Sequence, residues 1–391
     1  MLRAAAAAQA LLQRGESPRL PSSSSLSTAE AFAFREIGAG FQHKNPAVCA
    51  FSGYAGHDAN AFPGSKSRAL FTTSFDALGA DEVTVALRAA ATQWRDTRGV
   101  SDEGLAKQIR DDGIDILIDC TGHMGGARLL TFARKPAPIQ VTAWGEPTGT
   151  GLTEIDYLLA DPVLVPETER SLFAEKIADP PCFLGYWTPE ALPEAGPLRA
   201  AEAGSITFGS FNRAAKITDA TLALWSQVLH AVPSARLVLK DKAWSHPANC
   251  ARLHARMAAR SISPERVDLI GGTTRAEHFA AYQQIDAALD PLPHGGGMTT
   301  LEALWMGLPV ITKRGATPSS RLASAVLMAL DLGEWSVVDD AAYVAKAVAT
   351  AGDLASLAGL RRDLRARIAG SHLSPVPYAR ALEDVLLKIA R

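Results

Sequence analysis

The chain has 391 residues, 47% hydrophobic and 20% charged, with a formal net charge of -2. That length exceeds one ordinary domain and predicts two, in the composition range of globular proteins. A near-neutral balance gives no general drive toward nucleic acid or an anionic membrane, and no apolar run is long enough to span a bilayer.

Residues 1–40 are rich in Ala, Ser and Arg and poor in acids. They read either as an organelle transit peptide or as a disordered or mis-started terminus. The rest reads as a cytoplasmic chain. Its four cysteines, Cys49, Cys120, Cys182 and Cys250, are scattered and predict reduced, mostly buried thiols. There is no D-x-D triplet and no HExxH, so no metal site is expected.

From about Ala47 the pattern is α/β. "AVCAFSGY" predicts a strand and "DEVTVALRAAATQWRD" a helix. "SDEGLAKQIRDDG" predicts a helix with signals at both ends, Ser101 and Gly113. "IDILIDCTG" is a buried strand by its branched run, "RLLTFARKP" a helix as far as Pro136, and "IQVTAWG" and "IDYLLAD" two further strands. Pro and Gly cluster between Asp179 and Gly204, as expected of an interdomain connection. Strands and helices then alternate again from "SITFGSF" to "PVITKRG". The expectation is two Rossmann-like domains of parallel sheet, residues 41–190 and 200–391, facing a cleft. No tetratricopeptide-length repeat is visible.

Three segments follow strand ends in the second half. "DPLPHGGGMTTLEALWMG" places Gly296 and Gly297 before Met298 and Thr299, which open a helix carrying Glu302. Glycines admit a close approach to the backbone, and a helix start attracts anions. The same stretch also reads as a turn that needs glycine. "GSFNRAAKIT" offers Asn212, Arg213 and Lys216, suited to a diphosphate. "GGTTRAEHF" offers Thr273, Arg275 and His278, the last two one turn apart. Together they describe a metal-free pocket for a nucleoside diphosphate. In the first half, "CTGHMGGAR" and "GEPTGTG" are polar, glycine-rich and follow strands; His123 is either an acid/base group or a loop residue bonding backbone.

These segments, with "DGIDILIDCTGHMGGARLLTFARKPAPIQVTAWGEPTGT", resemble the catalytic region of the O-linked N-acetylglucosamine transferase family, including its SPINDLY-like members, over roughly residues 80 to 390. The resemblance implies a GT-B fold and inverting transfer from UDP-N-acetylglucosamine to Ser or Thr of proteins, without a cofactor. It implies that Lys216 stabilises the leaving diphosphate beside Arg213, which replaces a glutamine. It assigns Thr273, Arg275 and His278 to the uracil and ribose side, Gly297, Met298 and Thr299 to the phosphates, and Glu302 to the ribose. Thr148 and Gly149 match a loop that touches the transferred sugar.

Several features depart from the family pattern, among them the absence of the tetratricopeptide repeats that usually precede this region. In the register of "GYAGHDANAF", Phe62 stands where the family has a catalytic-centre histidine, with His57 out of register. Ala215 stands where it has a tyrosine. A complete donor side with an altered acceptor side predicts UDP binding with weakened transfer. A protein O-fucosyltransferase using GDP-fucose and a non-catalytic nucleotide-sugar-binding remnant are the competing expectations.

Overall fold

The computed structural model describes residues 47–52, 68–73, 93–97, 99–186 and 192–390. The segment 1–40 and the positions His57 and Phe62 lie outside these residues. A seven-stranded sheet has the order β3-β2-β1-β4-β5-β6-β7. Its strands are β1 (Ala47–Ser52), β2 (Arg68–Thr73), β3 (Gln93–Asp96), β4 (Ile116–Asp119), β5 (Ile139–Thr142), β6 (Tyr157–Leu159) and β7 (Lys176–Ala178). All four residues of β4 are buried, which is why it reads as an unbroken apolar run without alternation.

Helix α1 (Asp102–Asp111) begins where the sequence places it. The Ser101 hydroxyl accepts the Gly104 amide, and Leu105, Ala106 and Ile109 face the core. Helix α2 (Leu129–Phe132) is a single turn ending short of Pro136.

Two expectations are corrected in this sheet. Gln93–Asp96, read as the end of a helix, form β3, parallel to β2. Pairing with a neighbouring strand overrides the helical propensity of so short a segment. Strand β1 runs antiparallel to both neighbours, β2 and β4, in a sheet expected to be parallel. An apolar run does not encode strand direction, because either ladder satisfies its backbone groups.

The second sheet is parallel throughout, in the order β10-β9-β8-β11-β12-β13. Its strands are β8 (Thr207–Ser210), β9 (Arg236–Lys240), β10 (Val267–Ile270), β11 (Ala287–Leu289), β12 (Val310–Lys313) and β13 (Ser336–Val337). Around it lie α3 (Arg199–Ala203), α4 (Asp219–Ala231), α5 (Pro247–Ala258), α6 (Arg275–Ala281), α7 (Met298–Trp305), α8 (Leu322–Ala329), α9 (Asp340–Gly352) and α10 (Leu354–Ala369). Side-chain caps open α4 at Thr218, α6 at Thr274, α9 at Asp339 and α10 at Asp353. The connections reverse direction between β8 and β11, so a crevice opens beyond the carboxyl ends of those two strands.

The last helix, α11 (Pro375–Ile389), leaves the second lobe. Its Leu382 and Leu386 pack with Ile116, Ile118 and Val141 of the first sheet. The Tyr378 hydroxyl donates to Phe183 O at 2.9 Å and accepts from Trp144 Nε1 at 2.9 Å. A Cβ on Gly185 would lie 2.6 Å from the Tyr378 ring, so glycine is required at that crossing.

A second tie is Arg321, which is 5% exposed. Its guanidinium donates to Leu164 O at 3.0 Å and to both oxygens of Glu169, at 2.8 and 2.6 Å, in the first lobe. It also donates to Gly315 O and Ala316 O in its own lobe. The Arg321 hydrogen bonds hold the Glu169 carboxyl below the usual glutamate range. Arg321→Leu strands this carboxylate and three carbonyls. Urea unfolding is expected to show a loss of about 2 kcal/mol, within the scale for leaving buried carbonyls without a donor; no measurable loss would show that the lobes do not depend on it.

Candidate active site

Strand β8 delivers Asn212 and Lys216 to the crevice, and β11 delivers Asp290 and the glycine segment. Asn212 is buried, and its Oδ1 accepts from Thr299 Oγ1 at 3.1 Å. A short turn, Ala214–Lys216, aims Lys216 Nζ at Gly295 O, 2.7 Å away. Burial is the main reason the Lys216 ammonium lies below the ordinary lysine value; Arg213 adds to this, while Asp290 and Glu146 oppose it. Arg213 itself is exposed.

The three glycines are enforced by what packs against them. A Cβ on Gly295 would meet Asp290 Oδ2 at 2.6 Å, and one on Gly297 would meet the Leu184 side chain at 2.9 Å. Asp290 is 2% exposed; its Oδ1 accepts the Gly296 amide at 2.7 Å and its Oδ2 the Thr312 hydroxyl at 2.8 Å. The turn therefore needs glycine, and it leads directly into a helix start at the crevice. Helix α7 begins at Met298 and Thr299 with no side-chain cap, its first internal bonds running from Thr300 and Leu301 to Gly297 O. Its leading amides and positive end suit an anion.

Glu302 lies one turn further along α7. His278 Nε2 and the Tyr282 hydroxyl both stand 3.3 Å from Glu302 Oε2. The His278 ring packs among Phe211, Phe279 and Tyr282 with centroids 5.4 to 5.8 Å away. This makes an aromatic wall beside a carboxylate. Thr273 and Arg275 are exposed at the start of α6, where Thr274 and Glu277 form a reciprocal cap.

The first-lobe candidates sit on two loops. His123 is exposed after β4, and Thr148 is exposed after β5. Gly149 is buried with φ +76°; a Cβ there would meet Glu175 Oε2 at 2.9 Å. Glu175, 3% exposed, fixes this loop by accepting the Thr150 amide at 2.6 Å. The two loops touch, since a Cβ on Gly145 would fall 2.4 Å from the Thr121 carbonyl carbon.

Sequence reasoning passed over Asp290, Tyr282, Glu146 and Ser319. Asp290 carried a signal, an acid ending an apolar strand just before glycines. Glu146 and Ser319 carried none, because their meaning arises across the cleft, where Ser319 Oγ donates to Glu146 Oε1 at 2.8 Å.

Two Rossmann-like lobes with an anion-seeking crevice at the switch point of the second define the GT-B fold of glycosyltransferases. The chain belongs to glycosyl transferase family 41, whose model matches residues 53–185 and 200–381. It is 37% identical over 297 residues to the probable UDP-N-acetylglucosamine–peptide N-acetylglucosaminyltransferase SPINDLY of Arabidopsis thaliana, covering 74% of this chain and 32% of that one. The chain thus spans about a third of the length of the curated relatives it matches. Among solved structures, a lysine-to-methionine variant of the Thermobaculum terrenum O-GlcNAc transferase superposes with a TM-score of 0.79 at 32% identity, covering 93% of this chain and 65% of that one. Anabaena HepE, solved with UDP and glucose, shares the fold alone: TM-score 0.55 at 11% identity, covering 94% and 98%.

Burial pushes Asp290 up to about 6, against hydrogen bonds from Thr312 and Gly296 and the Lys216 charge. An unfolded aspartate titrates near ~3.9. Between about pH 4 and 6 the folded chain therefore holds a proton that the unfolded chain lacks. This contribution is full below that window and is lost as pH rises through about 6. Thermal unfolding from pH 4 to 7 is expected to show this downward slope in the parent and not in Asp290→Asn; parallel profiles would contradict it.

Proposed function

We propose that this chain is the catalytic region of an inverting, metal-independent transferase that moves N-acetylglucosamine from UDP-N-acetylglucosamine to Ser or Thr hydroxyls of proteins. The observation that carries this reading is Lys216, held on Gly295 O beside the uncapped start of α7. The diphosphate lies over Gly296, Gly297, Met298 and Thr299, with Asn212 and Arg213 flanking it. Lys216 neutralises the charge that grows on the departing β-phosphate. His278 and its aromatic neighbours take the base, Glu302 takes the ribose hydroxyls, and Thr273 and Arg275 close the nucleoside side. Thr148 and Gly149 meet the transferred sugar, and His123 lies on the adjoining acceptor loop. The names of the Arabidopsis and Thermobaculum relatives support this donor and this class of acceptor.

Calorimetry is expected to show UDP binding, and UDP is expected to protect against thermal unfolding more than GDP does. Stronger protection by GDP would transfer the reading to GDP-fucose, and no binding of either would sink the site. Lys216→Ala is expected to keep the fold and lose on the order of a hundredfold in transfer, ~3 kcal/mol of preorganised charge. Unchanged turnover would remove Lys216 from the reaction. Transfer is expected to persist in EDTA, since the proposed neutralisation is by Lys216 and the helix start; strict dependence on added Mn²⁺ would contradict it.

A further inference from the structure

We infer that Glu146 is the general base that takes the proton of the acceptor hydroxyl. This rests on the transfer reading above. Glu146 follows β5 in the first lobe and is half-buried. Three hydrogen bonds join it to the leaving-group side. Ser319 Oγ donates to Glu146 Oε1 at 2.8 Å, the Gly295 amide donates to Ser319 O at 3.1 Å, and Lys216 Nζ donates to Gly295 O at 2.7 Å. The carboxylate also lies in the fields of Lys216 and of the half-buried His294. It therefore stands across the cleft from the group that receives the departing diphosphate.

Its backbone is fixed from behind. A Cβ on Gly122 would lie 3.3 Å from Glu146 Cβ, and the neighbouring Gly145 is pressed against Thr121. Ser319 occupies one carboxylate oxygen; Oε2 has no bond among the described residues and is left for a substrate hydroxyl. His123, on the neighbouring loop, is exposed and has no bond to the second lobe among the described residues.

Inverting displacement at an anomeric carbon needs a base on the face opposite the leaving group, and a carboxylate serves. The acceptor oxygen forms its bond to C1 of the sugar. The bond from C1 to the β-phosphate oxygen breaks, and its electron pair leaves with the nucleoside diphosphate beside Lys216. The hydroxyl proton passes to Glu146 Oε2 and then to water. The hydroxyl becomes acidic as its oxygen bonds to C1, which eases passage of its proton to a carboxylate.

Glu146→Gln separates base from clamp, because the amide oxygen still accepts from Ser319 Oγ. Radiolabelled transfer by the E146Q chain is expected to fall ~10²–10⁴-fold, with UDP affinity by calorimetry within a few-fold of the parent. Transfer by E146Q at the parent's rate overturns the inference and leaves the transfer reading standing. A loss of transfer matched by an equal loss of UDP affinity also overturns it, showing a structural role. A parent chain that binds UDP but transfers nothing removes the reaction itself, and the base with it.

Discussion

A carboxylate shut away from water, Asp290, sets the backbone of the glycine segment and of the crevice beside it. It takes one amide from the glycine segment and one hydroxyl from β12, and it leaves no room for a side chain on Gly295. This fixes the carbonyl that Lys216 holds and the angle at which α7 enters the crevice. Charge in such a site acts without reorganisation, because its dipoles are aimed before any ligand arrives. The raised value of Asp290 is the cost of burying that anchor, offset by its two bonds and the nearby ammonium.

Among the described residues, the two lobes meet through contacts of several kinds. Apolar contact comes from α11, which carries leucines back to the first sheet. A buried guanidinium, Arg321, reaches carbonyls and a carboxylate on both sides. A lighter contact, Ser319 to Glu146, crosses at the mouth of the cleft itself. The first two set how the lobes stand; the third places a first-lobe carboxylate in register with Lys216 of the second lobe. A reaction shared between lobes needs such registration, since misplacement by about an ångström lowers rate severely.

The aromatic wall around His278 shows why residue spacing alone was incomplete. Arg275 and His278 share a helix face, as the sequence implies. The histidine, however, is oriented by Glu302 from α7 and walled by Phe211 beyond β8, while Tyr282, one turn on from it, donates to the same carboxylate. Phe211 and Tyr282 are buried like core residues. Their place beside a polar site follows from the switch in strand order between β8 and β11.

By itself the sequence determined the local features: the capped start of α1 at Ser101, the buried run of β4, the strand-to-helix glycine segment, and the second lobe's alternation of strand and helix. Each is written in the chemistry of a few neighbouring residues, in cap hydroxyls, branched runs and glycines. It also placed Asn212, Lys216, His278 and Glu302 after strand ends, and ends of parallel strands are where such sheets bind ligands. The direction of β1, the fate of Gln93–Asp96, the return of α11 and the pairing of Glu146 with Ser319 were decided by tertiary structure. Each depends on a partner distant in the chain, and no local pattern of hydrophobicity or turn chemistry records which distant surface a residue will meet.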